Sequence, residues 1–286
     1  MSAGQGSGRS NGHRGNGQRG NSSSNGRGSW HAPGHVVVTG AAGAIGGALA
    51  RAIRRAWPQA EIALVDRDAI GLASIAAELS PATVHVCDLR DLDALPGLVN
   101  DIAEAGPIDG LINCAGVMRV QQLATWRWQD AWDLLALDLL APLRLQDLLT
   151  RGMVDGGAGT IVNIASMAGR VPLRGCAYYG AAKAGLAMAS EVARADLARH
   201  GVRVVTVYPG PVKSALEQGA RDAYGGGGIF GRLAPTGDPD ALAARILHAI
   251  EHDEPRVIYP KLYGLGWVAP NFSRRVALDY GPPPVQ

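Results

Sequence analysis

The stretch "HVVVTGAAGAIGGALARAIRRAW", residues 35–57, decides how the chain is read. Its first residues are a short β-branched run that stops at glycine, the pattern of a buried strand. From Ala44 the apolar residues recur at helical spacing. Between the two lies "TGAAGAIG", Thr39 to Gly46. Gly40 allows a tight turn, Gly43 lets backbone approach a ligand, and Gly46 allows a helix to pack closely on a strand. The helix that follows offers unpaired N–H groups to anionic oxygens. A glycine turn in this strand–helix context predicts a dinucleotide site. Its candidate contacts are Thr39, Gly40, Gly43, Ala44, Ile45 and Gly46.

The same alternation continues outward. Strands are predicted at "EIALVD", "TVHVCD", "GLINCAG", "GTIVNIAS", "VRVVTVYPG" and "PRVIYP". Helices are predicted at "DAIGLASIAAEL", at "LDALPGLVNDIAEA" despite Pro96, and over Thr125 to Arg151. Two more follow at "YGAAKAGLAMASEVARADLARH", ending near Gly201, and at "PDALAARILHAIEHD". The strands are continuous apolar runs, which points to a parallel sheet of about seven strands with helices on both faces. Ligands in such α/β sheets bind beyond the carboxyl ends of the strands, where strand order reverses.

Composition narrows the function classes. The chain has 286 residues, 47% apolar and 18% charged, enough for one α/β domain over residues 35–286. Residues 1–34 are Gly, Ser, Asn and Arg with four arginines and no acidic residue. They read as a disordered, solvated extension rather than an RNA-binding tail. The rest carries 23 basic and 25 acidic side chains, a net of −2, so bulk charge does not mark a nucleic-acid binder. No run of about 18 apolar residues predicts a membrane span. Cys87, Cys114 and Cys176 are far apart and show no metal-ligand spacing, so a reduced, cytoplasmic compartment is expected and no metal is.

Asp66 ends the second strand, 20 residues after Gly46. A carboxylate there can accept from both ribose hydroxyls and repels a 2′-phosphate, so NAD is the expected cofactor. Arg67 beside it could instead hold that phosphate, which leaves NADP possible.

With these motifs in hand, the chain resembles the short-chain dehydrogenase/reductase family over about residues 35–260, in its single-domain, Rossmann-type form. "CDL" at 87–89 is similar to the family's adenine-contacting turn, which implies Asp88 and Leu89. "NCAG" at 113–116 is similar to its NNAG element, which implies Asn113, Ala115 and Gly116 at the cofactor. "PGPVKS" at 209–214 resembles the loop that meets the nicotinamide amide, which implies Pro209, Gly210, Val212 and Ser214. Ser166, Tyr179 and Lys183 match the catalytic serine and the YxxxK signature. The glycines at 40, 43 and 46 depart from the single-domain spacing, which has Gly at the position of Ala44. In "LDLLAPL", Asp138 stands where many members have a catalytic Asn. It can still accept hydrogen bonds, but its charge implies a different pH dependence.

Two adjacent tyrosines compete for the chemistry. Lys183 is four residues after Tyr179 and five after Tyr178, and only i and i+4 share a helix face. Tyr179 is therefore the candidate acid/base and Tyr178 is packing. A nearby ammonium favours phenolate, so Lys183 is expected to lower the Tyr179 pKa. By resemblance both also bind cofactor. The implied activity is NAD(P)-dependent interconversion of a secondary alcohol and its ketone or aldehyde. The rival is a nucleotide-binding or sensing protein with weak catalysis. Residues 214–237, with glycines at 225–228, are expected to form a mobile substrate lid. Met118, Trp126, Trp128 and Trp132 are candidate pocket walls for a small hydrophobic substrate, although aromatic residues in such helices more often serve the core or an interface. The aromatic and basic C-terminal piece is expected to serve packing or an oligomer contact. The resemblance implies a homodimer or homotetramer.

Overall fold

The computed structural model describes residues 31–225, 235–264, 267, 270–281 and 284. The tail expected to be disordered falls, up to residue 30, outside the described residues, as does 226–234 of the expected lid. Seven strands form one sheet: β1 (His35–Thr39), β2 (Glu61–Asp66), β3 (Thr83–Val86), β4 (Gly110–Asn113), β5 (Gly159–Ile164), β6 (Val202–Pro209) and β7 (Arg256–Tyr259). Their order is β3-β2-β1-β4-β5-β6-β7, and every pairing is parallel. This is the predicted doubly wound, Rossmann-type sheet. Strand order reverses between β1 and β4, and that crevice is where such sheets take ligands.

Strands β1, β4 and β5 are buried on both sides, whereas the edge strand β3 leaves Val84 and Val86 exposed. Neighbouring residues feed opposite cores, as period-2 geometry requires. Val36 and Val38 join Leu49, Ile53, Leu242 and Ile246 on one face. Val37 joins Leu98, Leu145, Leu149 and Met153 on the other. The first face is covered by α1 (Ala44–Ala56), α2 (Ala69–Leu79) and α8 (Pro239–Glu251). The second is covered by α3 (Leu95–Ala103), α5 (Ala141–Asp155) and α6 (Ala177–Leu197). Pro96 does not break α3, because it sits in the first turn, where no intrahelical N–H is needed.

The long helix predicted over 125–151 is built of three parts. These are α4 (Trp128–Leu135), a π-helical turn at Ala136–Leu140, and α5. Its continuous apolar pattern hides the change of winding. The expected lid begins as a regular helix, α7 (Ala215–Ala223). Ser214 caps it by accepting from Glu217 N at 3.1 Å. The "SALE" sequence at 214–217 is the capping-box pattern that signals this helix. The C-terminal piece forms α9 (Pro270–Tyr280).

Candidate active site

The glycine turn does what its sequence requires. Gly40 has φ +67, and a Cβ there would lie 2.8 Å from the Ala115 backbone. A Cβ on Gly46 would lie 2.1 Å from Gly40 O, so α1 can start only this close to β1 with glycine at that position. Gly43 is the N-cap of α1 and supplies no capping side chain. The first-turn N–H groups therefore remain available to a pyrophosphate, and the cradle fits a dinucleotide. Thr39 acts beneath it: its Oγ1 donates to Ile112 O at 3.2 Å and accepts from Cys114 N at 3.0 Å, tying β1 to the turn after β4.

At the end of β2, Asp66 Oδ2 accepts from Ala42 N at 3.1 Å and Oδ1 from Asp68 N at 3.1 Å. The carboxylate thus already braces the glycine loop. Arg67 is exposed beside it. Asp88 is gripped by Arg90, whose hydrogen bonds hold its carboxyl below the usual range. Leu89 is buried. Asn113, expected at the cofactor, turns its side chain into a buried chain under the site. Its Nδ2 donates to Asn163 Oδ1 at 2.9 Å, Asn163 Nδ2 donates to Ser190 Oγ at 3.0 Å, and Thr206 Oγ1 donates to Ser190 Oγ at 2.7 Å. This network locks α6 onto β4, β5 and β6.

Above that network, the ends of β4, β5 and β6 open on a cleft of about 650 Å³. Ile45, Cys114, Gly116, Ser166, Tyr179 and Lys183 all line it. Tyr179 and Lys183 are adjacent on one face of α6 and almost fully buried, with Nζ 5.9 Å from the phenol ring centre. The Ser166 hydroxyl, at the end of β5, accepts from Ala168 N at 3.1 Å and lines the same cleft as Tyr179. Tyr178 points elsewhere, edge-on to Trp126 at 5.1 Å between ring centres. Pro209, Gly210, Val212 and Ser214 reach the cleft from the end of β6.

Asp138 sits in the π-helical turn with no exposed surface. Its Oδ1 accepts from Val117 N at 2.8 Å, and its Oδ2 lies 3.2 Å from Lys183 Nζ. The ammonium also donates to Ile164 O at 3.1 Å. Burial, with this ion pair beside it, corrects one expectation. The Tyr179 pKa is not lowered but raised: burial disfavours phenolate, Lys183 opposes that incompletely, and Asp138 adds to the rise. Burial pulls Lys183 down, but Asp138 and Tyr179 together leave it raised.

The cleft walls also differ from expectation. Met118 lines it, but Trp126, Trp128 and Trp132 do not. Trp128 and Trp132 are 65% and 45% exposed on α4. The apolar walls are instead Val171, Leu173, Leu216, Tyr224, Leu262 and Ala277. The last belongs to α9, so the C-terminal piece covers the cleft. Trp267 anchors it between the Arg170 and Arg256 guanidiniums, 4.0 and 4.7 Å from its ring centre. Nothing local in the sequence ties residues 267–277 to a cleft built around residue 179. Only the spread of Trp and Arg hints at such stacking.

A doubly wound sheet with a glycine cradle and a Ser–Tyr–Lys group at its switch point defines a nucleotide-dependent oxidoreductase. The chain belongs to the short chain dehydrogenase family, whose model matches residues 34–225. It is 37% identical over 217 residues to a D-threitol dehydrogenase of Mycolicibacterium smegmatis, covering 73% of this chain and 82% of that protein. It is 32% identical over 229 residues to the ketoacyl reductase HetN of Nostoc, covering 78% and 77%. Among solved structures, a short-chain dehydrogenase from Sphingobium yanoikuyae in complex with NADPH superposes with TM-score 0.70 at 27% identity, covering 86% of this chain and 95% of that one. The chain is thus an NAD(P)-dependent oxidoreductase. The expected preference for NAD finds no support in such neighbours, whose bound cofactor is NADPH or NADP. No helix of the described residues is long and apolar enough to cross a membrane.

Proposed function

We propose that this enzyme interconverts a secondary alcohol and its ketone or aldehyde, with Tyr179 as the proton donor and acceptor. The observation that carries the reading is the convergence of Ser166, Tyr179 and Lys183 on one cleft beside the glycine cradle. A bound nicotinamide supplies or accepts the hydride. The N-terminus of α1 and the Gly40–Gly46 turn hold the pyrophosphate, and Lys183 and the loop after β6 hold the nicotinamide end. Asp88 and Leu89 would meet the adenine, and Ala115 and Gly116 the ribose. The Ser166 hydroxyl donates to the substrate oxygen and steadies its developing charge. Tyr179 gives that oxygen a proton in reduction and takes it back in oxidation. The bound NADP(H) of the solved relatives supports the phosphorylated cofactor, and Arg67 is the residue that would receive the phosphate. Asp66 supports NAD.

The apolar walls favour a hydrophobic substrate. Exposed Trp128, Trp132, Met188 and Val192 on α4 and α6 favour a homodimer or homotetramer, and three free cysteines favour a cytoplasmic setting. A sensing role with weak catalysis is favoured by one observation, the ion pair that occupies Lys183. The deciding experiment titrates purified protein with NADH and NADPH, then screens carbonyls and alcohols with Tyr179→Phe as control. Turnover lost in the variant supports the enzyme reading. Tight nucleotide binding with no turnover across a broad panel supports the sensor.

A further inference from the structure

The Asp138–Lys183 pair is built with care for its surroundings. The wider π-helical turn sets Asp138 on the inner wall of the site. Val117 N–H fixes one carboxylate oxygen, and the other has the ammonium as its polar neighbour. Burial raises the Asp138 pKa, and both contacts work against that rise by favouring the charged carboxylate. Gly116 leaves the room: a Cβ there would lie 3.1 Å from Asp138 Oδ2 and 3.2 Å from Lys183 Nζ. An isolated ammonium in such a site would act on the phenol with its full charge. Paired with a carboxylate at 3.2 Å, it acts as a short dipole, whose field falls off much faster.

We propose that Asp138 is a positioning residue that neutralises Lys183 and keeps Tyr179 a protonated phenol, so that the resting site is set to donate a proton to a carbonyl. The proposal rests on the oxidoreductase reading above for its meaning, but its test needs neither substrate nor nucleotide. The groups that face Tyr179 agree with it. Lys183 lies on its own helix and Asp138 on the π-helical turn. Ser166 at the end of β5 is neutral, as is Cys176 before α6, whose Sγ lies 3.4 Å from Tyr224 OH of α7's end. Cys114 after β4 is a thiol whose pKa burial pushes up to about 12. Arg174, Glu217 and Arg221 line the outer cleft, and Glu217 pairs with Arg221. In reduction the phenol O–H bond breaks and its proton goes to the substrate oxygen. That oxygen takes the carbonyl π pair as hydride from the reduced nicotinamide reaches the carbon, and the phenolate is reprotonated from water. In oxidation the phenolate must exist first.

The test is ultraviolet titration of the full chain at 295 nm, where phenolate absorbs. Rapid pH jumps avoid alkaline unfolding. The wild-type trace minus that of Tyr179→Phe isolates one tyrosine. The midpoint is expected at or above the free-phenol value of about 10. In Asp138→Asn, which keeps the shape and removes the charge, the Tyr179 acid constant is expected to rise about tenfold or more. Its melting temperature checks that the variant folds. A wild-type midpoint below about 9 overturns the proposal, and so does an Asp138→Asn midpoint within about 0.3 pH units of wild type. If that variant does not fold, Asp138→Ser is titrated in its place with the same two criteria. A carbonyl panel without turnover would leave this titration readable, so the two failures are distinguishable.

Discussion

Replacing Gly46 by alanine tests the cofactor cradle most directly. The new Cβ would lie 2.1 Å from Gly40 O, 2.7 Å from Gly40 C and 3.1 Å from Ala41 Cα. Ordinary contact begins near 3.4 Å, so the carbonyl and the start of α1 must separate by about 1.3 Å. All three neighbours are backbone, and no rotamer change relieves the clash. Overpacking of this kind costs about 1–3 kcal/mol. At about 1.4 kcal/mol per decade, that is roughly 5- to 150-fold in cofactor Kd if the cradle bears it. If folding bears it, the melting temperature falls by about 2–4 °C per kcal/mol. Two other glycines calibrate the result. A Cβ on Gly43 would meet Gly40 O at 3.2 Å, so Gly43→Ala is expected to be milder. Gly97, on the exposed side of α3, has nothing within 4 Å, so Gly97→Ala should leave Kd unchanged and add about 0.5–1 kcal/mol of helix stability at most. Nicotinamide fluorescence titration with NADPH and NADH, with calorimetry beside it, reads all three. The reasoning fails if Gly46→Ala binds within twofold of wild type and melts at the same temperature.

Further expectations concern the site and its frame. Ser166→Ala should lower kcat by about 10²–10³ while leaving cofactor Kd intact, because it removes a donor to the developing oxyanion; an unchanged kcat would remove Ser166 from the mechanism. The raised Tyr179 pKa fixes the sign of the pH dependence. Alcohol oxidation needs phenolate and should climb on the alkaline side. Carbonyl reduction needs phenol and should stay level through neutrality, then fall as the phenol ionises. Rate profiles in both directions check this, and oxidation already on its plateau at pH 7 would contradict it. Cys114, with its thiol pushed up to about 12, should resist iodoacetamide at pH 8 in the folded chain and react after unfolding, as peptide mass spectrometry would read. Gly201→Ala should destabilise the chain by about 1–3 kcal/mol without changing cofactor Kd. Gly201 has φ +76, a Cβ there would lie 2.2 Å from Gly157 O, and the position is at the far end of β6 from the cleft. Paired melting and binding curves separate the two effects.

Much of this protein is legible along the chain, and the reason is locality. A β-branched run followed by glycine, then by helical periodicity, depends only on neighbours, so strands β1 to β7 and helices α1 and α6 can be read directly. The i, i+4 relation that chooses Tyr179 over Tyr178 is local too, because a helix face is set by its own winding. The cofactor cradle and the Ser166, Tyr179 and Lys183 group follow from such patterns combined with family resemblance. Tertiary structure decided what depends on residues far apart. The π-helical turn is invisible in an uninterrupted apolar stretch, yet it carries Asp138 to Lys183 across 45 positions of chain. The Tyr179 pKa turns on burial first and then on that meeting, neither of which a spacing contains. Asn113 reads as a cofactor contact by motif, and its side chain belongs to a network that needs β5, β6 and α6 in place, which no motif shows. The tryptophans of α4 read as pocket walls because they are large and apolar, whereas the cleft is closed by α9, more than 90 residues beyond Tyr179. Chemistry at this site is set by charge and enclosure, and both are properties of the folded assembly of segments.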